Sequence, residues 1–153
     1  MPMPKARLGH VTLPAKAPDA LATFYCEMFG MSPVGGSTNG STTFLASYPK
    51  EESHDLAWVR DPTIAHIGLR VGSLRELCEA YRELKDREVA IRATLNHGVA
   101  FAIYFTDPEG NLIELYWPTG REGFWLPFIR PLDLNQSEEA LMQVLAATEP
   151  HAG

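Results

Sequence analysis

The chain is poor in cysteine, in basic residues and in long apolar runs. Its 153 residues include two cysteines, Cys26 and Cys78. Both fall inside predicted helices, where a thiol behaves as a small buried apolar side chain. Neither a disulfide framework nor a cysteine metal cluster is therefore read. That usage fits a reducing compartment, and the opening MPMPKARLGH lacks the apolar core of a signal peptide, so a cytoplasmic location is expected. Lys and Arg number 13 against 19 Asp and Glu, a net charge of −6. Nucleic acid is thereby excluded as an expected partner, because holding phosphates relies on clustered cations. No apolar run approaches the length of a membrane span, so no membrane partner is expected either. The remaining composition, 45% apolar and 21% charged, is that of a folded core rather than a disordered chain. The length suits one domain, or one domain and a tail.

What is present is a repeat. Leu8-Gly9-His10-Val11-Thr12-Leu13 reads like Ala65-His66-Ile67-Gly68-Leu69-Arg70-Val71, and aligning His10 with His66 sets an offset of 56 residues (66 − 10). Both segments alternate between two faces as half-buried strands do. A helix follows each. The first is predicted from Pro18 to Phe29, with Leu21, Phe24, Tyr25, Met28 and Phe29 as its apolar stripe and Gly30 at its end. The second starts at Ser73, whose partner Glu76 makes a capping box. Leu74, Leu77, Cys78, Tyr81 and Leu84 form its stripe. Three short strands follow in each half, near 31–34, 42–47 and 55–59, then near 90–94, 100–105 and 112–116. Gly, Asn and Pro clusters punctuate them, notably Asp107-Pro108-Glu109-Gly110-Asn111.

The pattern is thus βαβββ twice. It predicts an α+β fold with a curved mixed sheet, helices outside and a concave face within. One domain is expected over 6–118, with repeats of about 6–60 and 64–118. The tail, 119–153, has dense apolar residues (Phe124, Trp125, Leu126, Phe128 and Ile129) interrupted by Pro127 and Pro131. A short helix capped by Ser137 is predicted after them. So much apolar surface must cover the sheet's own open face, a partner subunit, or both.

Strand alternation sorts the candidate ligands. If Val11 and Leu13 turn to the helix side, His10 turns to the other face. The same rule places His66 opposite Ile67, Leu69 and Val71, and Glu114 opposite Ile113 and Leu115. A carboxylate inside Asn-Leu-Ile-Glu-Leu-Tyr-Trp would be costly to bury alone, and a divalent cation would compensate it. The offset of 56 puts Trp58 opposite Glu114 in the repeat, so the first half offers no fourth ligand. Two His and one carboxylate leave coordination positions open, as in non-haem Fe(II) sites that bind substrate and O₂. Taken singly, a strand histidine is more often a hydrogen-bonded structural residue, and Glu114 could be a rim residue. The metal reading rests on the convergence of all three.

Three further residues belong to the same argument. His54, in Ser53-His54-Asp55-Leu56-Ala57-Trp58, is assigned by alternation to the face of Leu56 and Trp58, the one equivalent to that of Glu114. Tyr104 is set opposite Phe101, Ile103 and Phe105. His97 sits in the loop before that strand. Alone, each has a blander account: a strand-edge histidine, a packed tyrosine, a solvated loop histidine. His151, at the far end of the tail, is given no role.

At this point Gly9-His10-Val11, His66-Ile67-Gly68-Leu69-Arg70-Val71 and Asp107-Pro108-Glu109-Gly110-Asn111-Leu112-Ile113-Glu114-Leu115-Tyr116 resemble the vicinal-oxygen-chelate superfamily of glyoxalases, bleomycin-resistance proteins and extradiol dioxygenases. Asn96-His97-Gly98 through Tyr104 to Tyr116-Trp117, with Arg130-Pro131-Leu132-Asp133-Leu134, is similar to the catalytic module of type I extradiol (catechol-cleaving) dioxygenases. The resemblance covers about residues 6–145. It implies Fe(II), with Mn(II) as the alternative, bound by His10, His66 and Glu114, and O₂ as co-substrate. A small aromatic diol would be the substrate. His54 would act as acid–base, and His97 with Tyr104 would bind and polarise the substrate oxygens. Relatives typically carry two such modules, and one is seen here, which implies a homodimer or a more open pocket. A glyoxalase-like lyase or isomerase, or a non-catalytic binding protein of the same fold, remains the alternative.

Overall fold

The computed structural model describes residues 3–150. The chain follows the βαβββ order twice and ends in a short strand and a helix. Two compact units make it up: Gly9–Gly68 with Trp125–Pro127, and Leu69–Phe124 with residues 3–8 and 128–150.

The first repeat comprises β1 (Arg7–Pro14), α1 (Pro18–Phe29), β2 (Ser32–Gly36), β3 (Thr42–Ala46) and β4 (Leu56–Val59). Pro18 opens α1, where its missing N–H costs nothing. Gly30 closes it in the left-handed region at φ 68°, its N–H donating to the Cys26 carbonyl. β3 runs antiparallel to β2 and β4, and β4 is parallel to β1 with Leu13 beside Trp58. The core of this unit joins Ala22 to Met31, Leu45 and Trp58, with Leu21, Tyr25 and Cys26 packed around them. Leu21 with Tyr25, and Ala22 with Cys26, are i,i+4 pairs that share the covered face. Phe24 and Met28 form another such pair, and both stay exposed, as does Phe29. The wide apolar stripe read from the sequence is therefore only half covered.

The second repeat comprises β5 (His66–Arg70), α2 (Leu74–Asp86), β6 (Ile91–Asn96), β7 (Ala100–Thr106) and β8 (Leu112–Pro118). A 3₁₀ turn at Pro62–Ile64, absent from the sequence reading, leads into β5. The Ser73 hydroxyl accepts the Glu76 N–H, and the Glu76 carboxylate accepts the Gly72 N–H, so the capping box forms one residue wider than its usual pattern. At the β7–β8 turn the Asp107 carboxylate accepts the backbone N–H groups of Glu109 and Asn111, and Gly110 takes φ 85°. β6, β7 and β8 form an antiparallel meander.

The tail adds to this second core. β9 (Arg130–Pro131) pairs with β6, and α3 (Glu138–Ala147) starts at Ser137, whose hydroxyl accepts the Ala140 N–H. Leu132, Leu134, Leu141 and Leu145 join Leu77, Leu84, Phe101, Ile103 and Leu115 in one cluster. Each such leucine contributes roughly 1.5–3 kcal/mol by leaving water. The tail thus covers apolar surface of its own chain, while Trp125 and Ile129 remain exposed. The strands form one mixed nine-stranded sheet in the order β2-β3-β4-β1-β5-β8-β7-β6-β9. Among the described residues, no helix is long and apolar enough to cross a membrane.

Candidate metal centre

β1 carries His10 and Thr12 two residues apart, so both point to one face, and both are buried. On the opposite face Leu13 stays 44% exposed, so alternation is obeyed there without full cover. His66 opens β5. Its Nδ1–H donates to the Ile64 carbonyl at 2.8 Å, which leaves the Nε2 lone pair as the ligand atom. That Nε2 lies 3.2 Å from His10 Nε2 and 3.4 Å from Thr12 Oγ1. Two imidazole nitrogens bound at about 2.1 Å to one cation, at right angles, stand about 3 Å apart, so the observed pair has the spacing of two metal ligands. Gly68 makes room for this: a Cβ there would meet the His10 ring at 2.3 Å.

β8 places Glu114 directly beside Tyr104 of β7. Phe101, Ile103 and Leu115 turn into the helix-side core, whereas Ala100, Ala102, Tyr104 and Tyr116 share the other face. Alternation had assigned Tyr104 and Glu114 to that face. Glu114 is buried, and His10, His66 and Glu114 form the group among the described residues that could hold a metal ion, their ligand atoms all lying within 4.8 Å of one another. Two imidazoles and one carboxylate are a donor set that suits Fe(II) or Mn(II), so the residues fit such an ion.

The Glu114 carboxylate stands 3.5 Å from His97 Nε2. His97 donates its Nδ1–H to the Phe128 carbonyl at 2.8 Å. Its Nε2 faces both the Tyr104 hydroxyl, at 2.9 Å, and the Glu114 carboxylate. Burial pulls the His97 imidazole down, but the hydrogen bond and charge of Glu114, with the Phe128 carbonyl, outweigh it, and the pKa lies above the ordinary histidine value. Burial first, and then the charge of Glu114, push the Tyr104 phenol well above its usual range, so Tyr104 stays a donor.

His54 reaches the neighbourhood of His10 by a different route from the one alternation gave. β4 begins at Leu56, so Ser53 and His54 lie ahead of the strand. Leu56 and Trp58 pack with Tyr25 and Cys26 on the helix side. Had His54 continued their alternation, it would have joined them. Instead its ring lies 4.2 Å from that of His10 and 5.0 Å from that of Phe44, and its Nδ1 is 3.2 Å from Ser53 Oγ.

The counterpart of Glu114 also changes. In the first repeat the Ala15 N–H donates to the Val59 carbonyl, and in the second the Val71 N–H donates to the Tyr116 carbonyl. Ala15 and Val71 differ by 56, but Val59 and Tyr116 differ by 57 (116 − 59). One residue has entered the second repeat, and the partner of Glu114 is Ala57 (114 − 57), not Trp58. Ala57 is fully buried and offers no donor. Thr12, Gly68 and the Phe128 carbonyl were not singled out from sequence; for Thr12 the signal was there, since it alternates in phase with His10. His151 lies outside the described residues.

With this geometry in hand, comparison with known proteins is informative. The profile described as Glyoxalase/Bleomycin resistance protein/Dioxygenase superfamily matches residues 7–115. Two curated relatives from Rhodococcus globerulus are similar in sequence. Biphenyl-2,3-diol 1,2-dioxygenase 3 is 28% identical over 121 residues, covering 71% of this chain and 62% of the relative. Biphenyl-2,3-diol 1,2-dioxygenase 2 is 25% identical, covering 71% and 61%. The chain thus spans about three fifths of the curated relatives it matches. Among solved structures, the 2,3-dioxygenase LapB from Pseudomonas sp. KL28 superposes with a TM-score of 0.64 at 22% identity, over 82% of this chain and 46% of that one. The Mn(II)-bound glyoxalase from Novosphingobium aromaticivorans gives 0.62 at 18% identity, over 84% and 44%. At those identities the two structures speak for the fold alone.

Proposed function

The chain belongs to the Glyoxalase/Bleomycin resistance protein/Dioxygenase superfamily, and from that premise we propose that it is an extradiol-type dioxygenase opening a catecholic ring with O₂ at an Fe(II) held by His10, His66 and Glu114. The observation that carries the reading is the donor set: three ligand atoms within 4.8 Å, and an alanine where the repeat would place a fourth ligand. When bound there, Fe(II) would act as Lewis acid and as a template that joins substrate and O₂.

The protein's own residues then divide the proton work. Tyr104, held protonated, donates a hydrogen bond to a substrate oxygen. His97, with Nδ1–H fixed on the Phe128 carbonyl, presents Nε2 to accept a hydroxyl proton. His54, whose ring lies beside that of the ligand His10, is a further acid–base group. Neutral imidazoles suit that task because their ordinary pKa lies near neutrality. Both atoms of O₂ end in the ring-opened semialdehyde acid, so no external reductant is consumed. A glyoxalase-like lyase reading is weaker here, because a fourth protein ligand has no side chain to come from at Ala57.

The test is direct. The protein, purified anaerobically, is given Fe(II) and a panel of catechols under air, and the yellow ring-opened product is followed by absorbance. Turnover that needs Fe(II) and disappears in Glu114→Ala is the expected result. No product from any catechol, with the metal demonstrably bound, removes the dioxygenase reading.

A further inference from the structure

His97 sits on a tight turn between β6 and β7, where Gly98 takes φ 74° and a Cβ would strike the Phe124 ring at 2.2 Å. Its ring nitrogen depends on a backbone carbonyl, that of Phe128, which lies 31 residues away in the tail. Turn and tail must therefore be held at a fixed distance, or the 2.8 Å bond is lost. Backbone pairing of Asn96 with Arg130 joins them along the strands, and the Asn96 side chain adds a tie from the turn to the far end of the tail. Asn96, 3% exposed, accepts the Gly98 N–H on Oδ1 at 2.7 Å and donates from Nδ2 to Thr148 Oγ1 at 3.0 Å. Thr148 caps the end of α3 and donates in turn to the Val144 carbonyl at 2.7 Å. Arg121 fastens the same helix end, donating to the Leu145 and Thr148 carbonyls. Thr119 donates to the Gly98 carbonyl at 2.6 Å, which fixes the other side of the turn.

We propose that Asn96 is a positioning residue that ties the C-terminal end of α3 to the His97 turn and so holds His97 in the Nδ1–H tautomer, with Nε2 directed at Tyr104. The Gly98 bond alone would be an ordinary Asx turn. The bond to Thr148 is the unusual part, because it joins positions 52 residues apart and uses the remaining polar group of a buried amide. Losing one partner leaves that amide unsatisfied, and the turn is then free to shift toward water. The tautomer matters because a His97 that carried its proton on Nε2 could not accept one from a substrate hydroxyl. This part rests on the functional reading above; the coupling itself does not.

The experiment keeps the two apart. In the metal-free full chain labelled with ¹⁵N-histidine, long-range ¹H–¹⁵N correlation reads the tautomer of His97 directly. At alkaline pH, where the imidazole is neutral, wild type and the conservative Thr148→Ser should show Nδ1–H alone. Asn96→Ala and Thr148→Val should show a mixture. With Fe(II) and a catechol, the two disruptive variants should lose kcat/KM by a factor on the order of 10, the scale for groups that orient a functional imidazole, and Thr148→Ser should retain it. If Asn96→Ala does not fold, Thr148→Val at the partly exposed tail end still decides. A Thr148→Val protein with lowered melting temperature but the wild-type tautomer overturns the proposal. Wild type that shows the predicted tautomer pattern without catechol turnover overturns the functional reading and leaves the coupling standing.

Discussion

Gly68→Ala should weaken metal binding in an otherwise folded protein. The added methyl would lie 2.3 Å from His10 Cε1, 2.4 Å from Nε2 and 2.5 Å from Nδ1. Ordinary contact begins at 3.4 Å, so the ring must retreat by 1.1 Å (3.4 − 2.3). Metal–ligand distances tolerate only about 0.2 Å, so a displacement several times larger breaks the bond from His10. Overpacking of this kind costs about 1–3 kcal/mol if the strand moves instead of the ring. At about 1.4 kcal/mol per factor of ten, either route weakens metal binding by roughly one to two orders of magnitude. Gly68 itself needs no special backbone angle, so the effect is steric and local. Titration calorimetry with Mn(II) under anaerobic conditions reads the affinity, and circular dichroism reads the fold. A Gly68→Ala protein that binds Mn(II) as tightly as wild type would mean that His10 is not held against Gly68 when the metal is bound, and the first ligand would have to be reassigned.

Glu114→Ala should lower metal content from about one ion per chain to near none, as measured by elemental analysis after dialysis; retention at the wild-type level would break the triad. His54→Ala should keep the metal while its catalytic rate falls by a factor on the order of 10², and loss of metal would make His54 a ligand instead. Burial raises the Cys78 thiol, whereas Cys26 is half-exposed, so a maleimide should label Cys26 well before Cys78 in the native protein; equal rates would contradict the packing of α2. Light scattering at micromolar concentration should report a dimer, formed through exposed tail residues such as Trp125 and Ile129; a monomer only would assign that surface another purpose.

Much of this site was legible because alternation along a strand is a strong rule where both ends of the strand are anchored. Tyr104 sits between Ile103 and Phe105 of the helix-side core and Glu114 next to Leu115, and these two, like the buried His10, went where period two put them. Helix limits were equally clear, since Pro18, Gly30, Ser73 and Ser137 mark their ends by side-chain or backbone chemistry rather than by hydropathy. His54 was harder. It precedes β4, where the chain has no fixed period, and the Asp55 carboxylate accepting the Ser47 N–H at 2.7 Å shows that local polar bonds shape that stretch. The 3₁₀ turn before β5 and the two-residue β9 carry no periodic signal at all. Nor could hydropathy tell that α1 leaves Phe24, Met28 and Phe29 in solvent, because a stripe of apolar residues does not state how wide its cover is.

The single residue gained between the repeats matters more than its size suggests. With a uniform offset of 56, the position matched to Glu114 is a tryptophan on the helix side, and the missing ligand looks like steric exclusion by a large ring. With the observed offset of 57 at the last strand, the position is Ala57, on the same side of its strand as Val59. Val59 and Ala57 are both fully buried, and Phe44 is the cross-strand neighbour of Ala57 as Tyr104 is of Glu114. The two halves therefore keep one backbone plan and differ in side-chain chemistry at matched places: alanine against glutamate, phenylalanine against tyrosine. Both repeats retain a histidine on their first strand, and the second repeat alone adds the carboxylate and the phenol. Alanine and phenylalanine at these matched places offer no side-chain donor of their own, so the first repeat contributes no counterpart to Glu114 or Tyr104. His10, His66 and Glu114 would hold a divalent metal with three protein ligands, and that donor set suits chemistry in which a diol and O₂ complete the coordination.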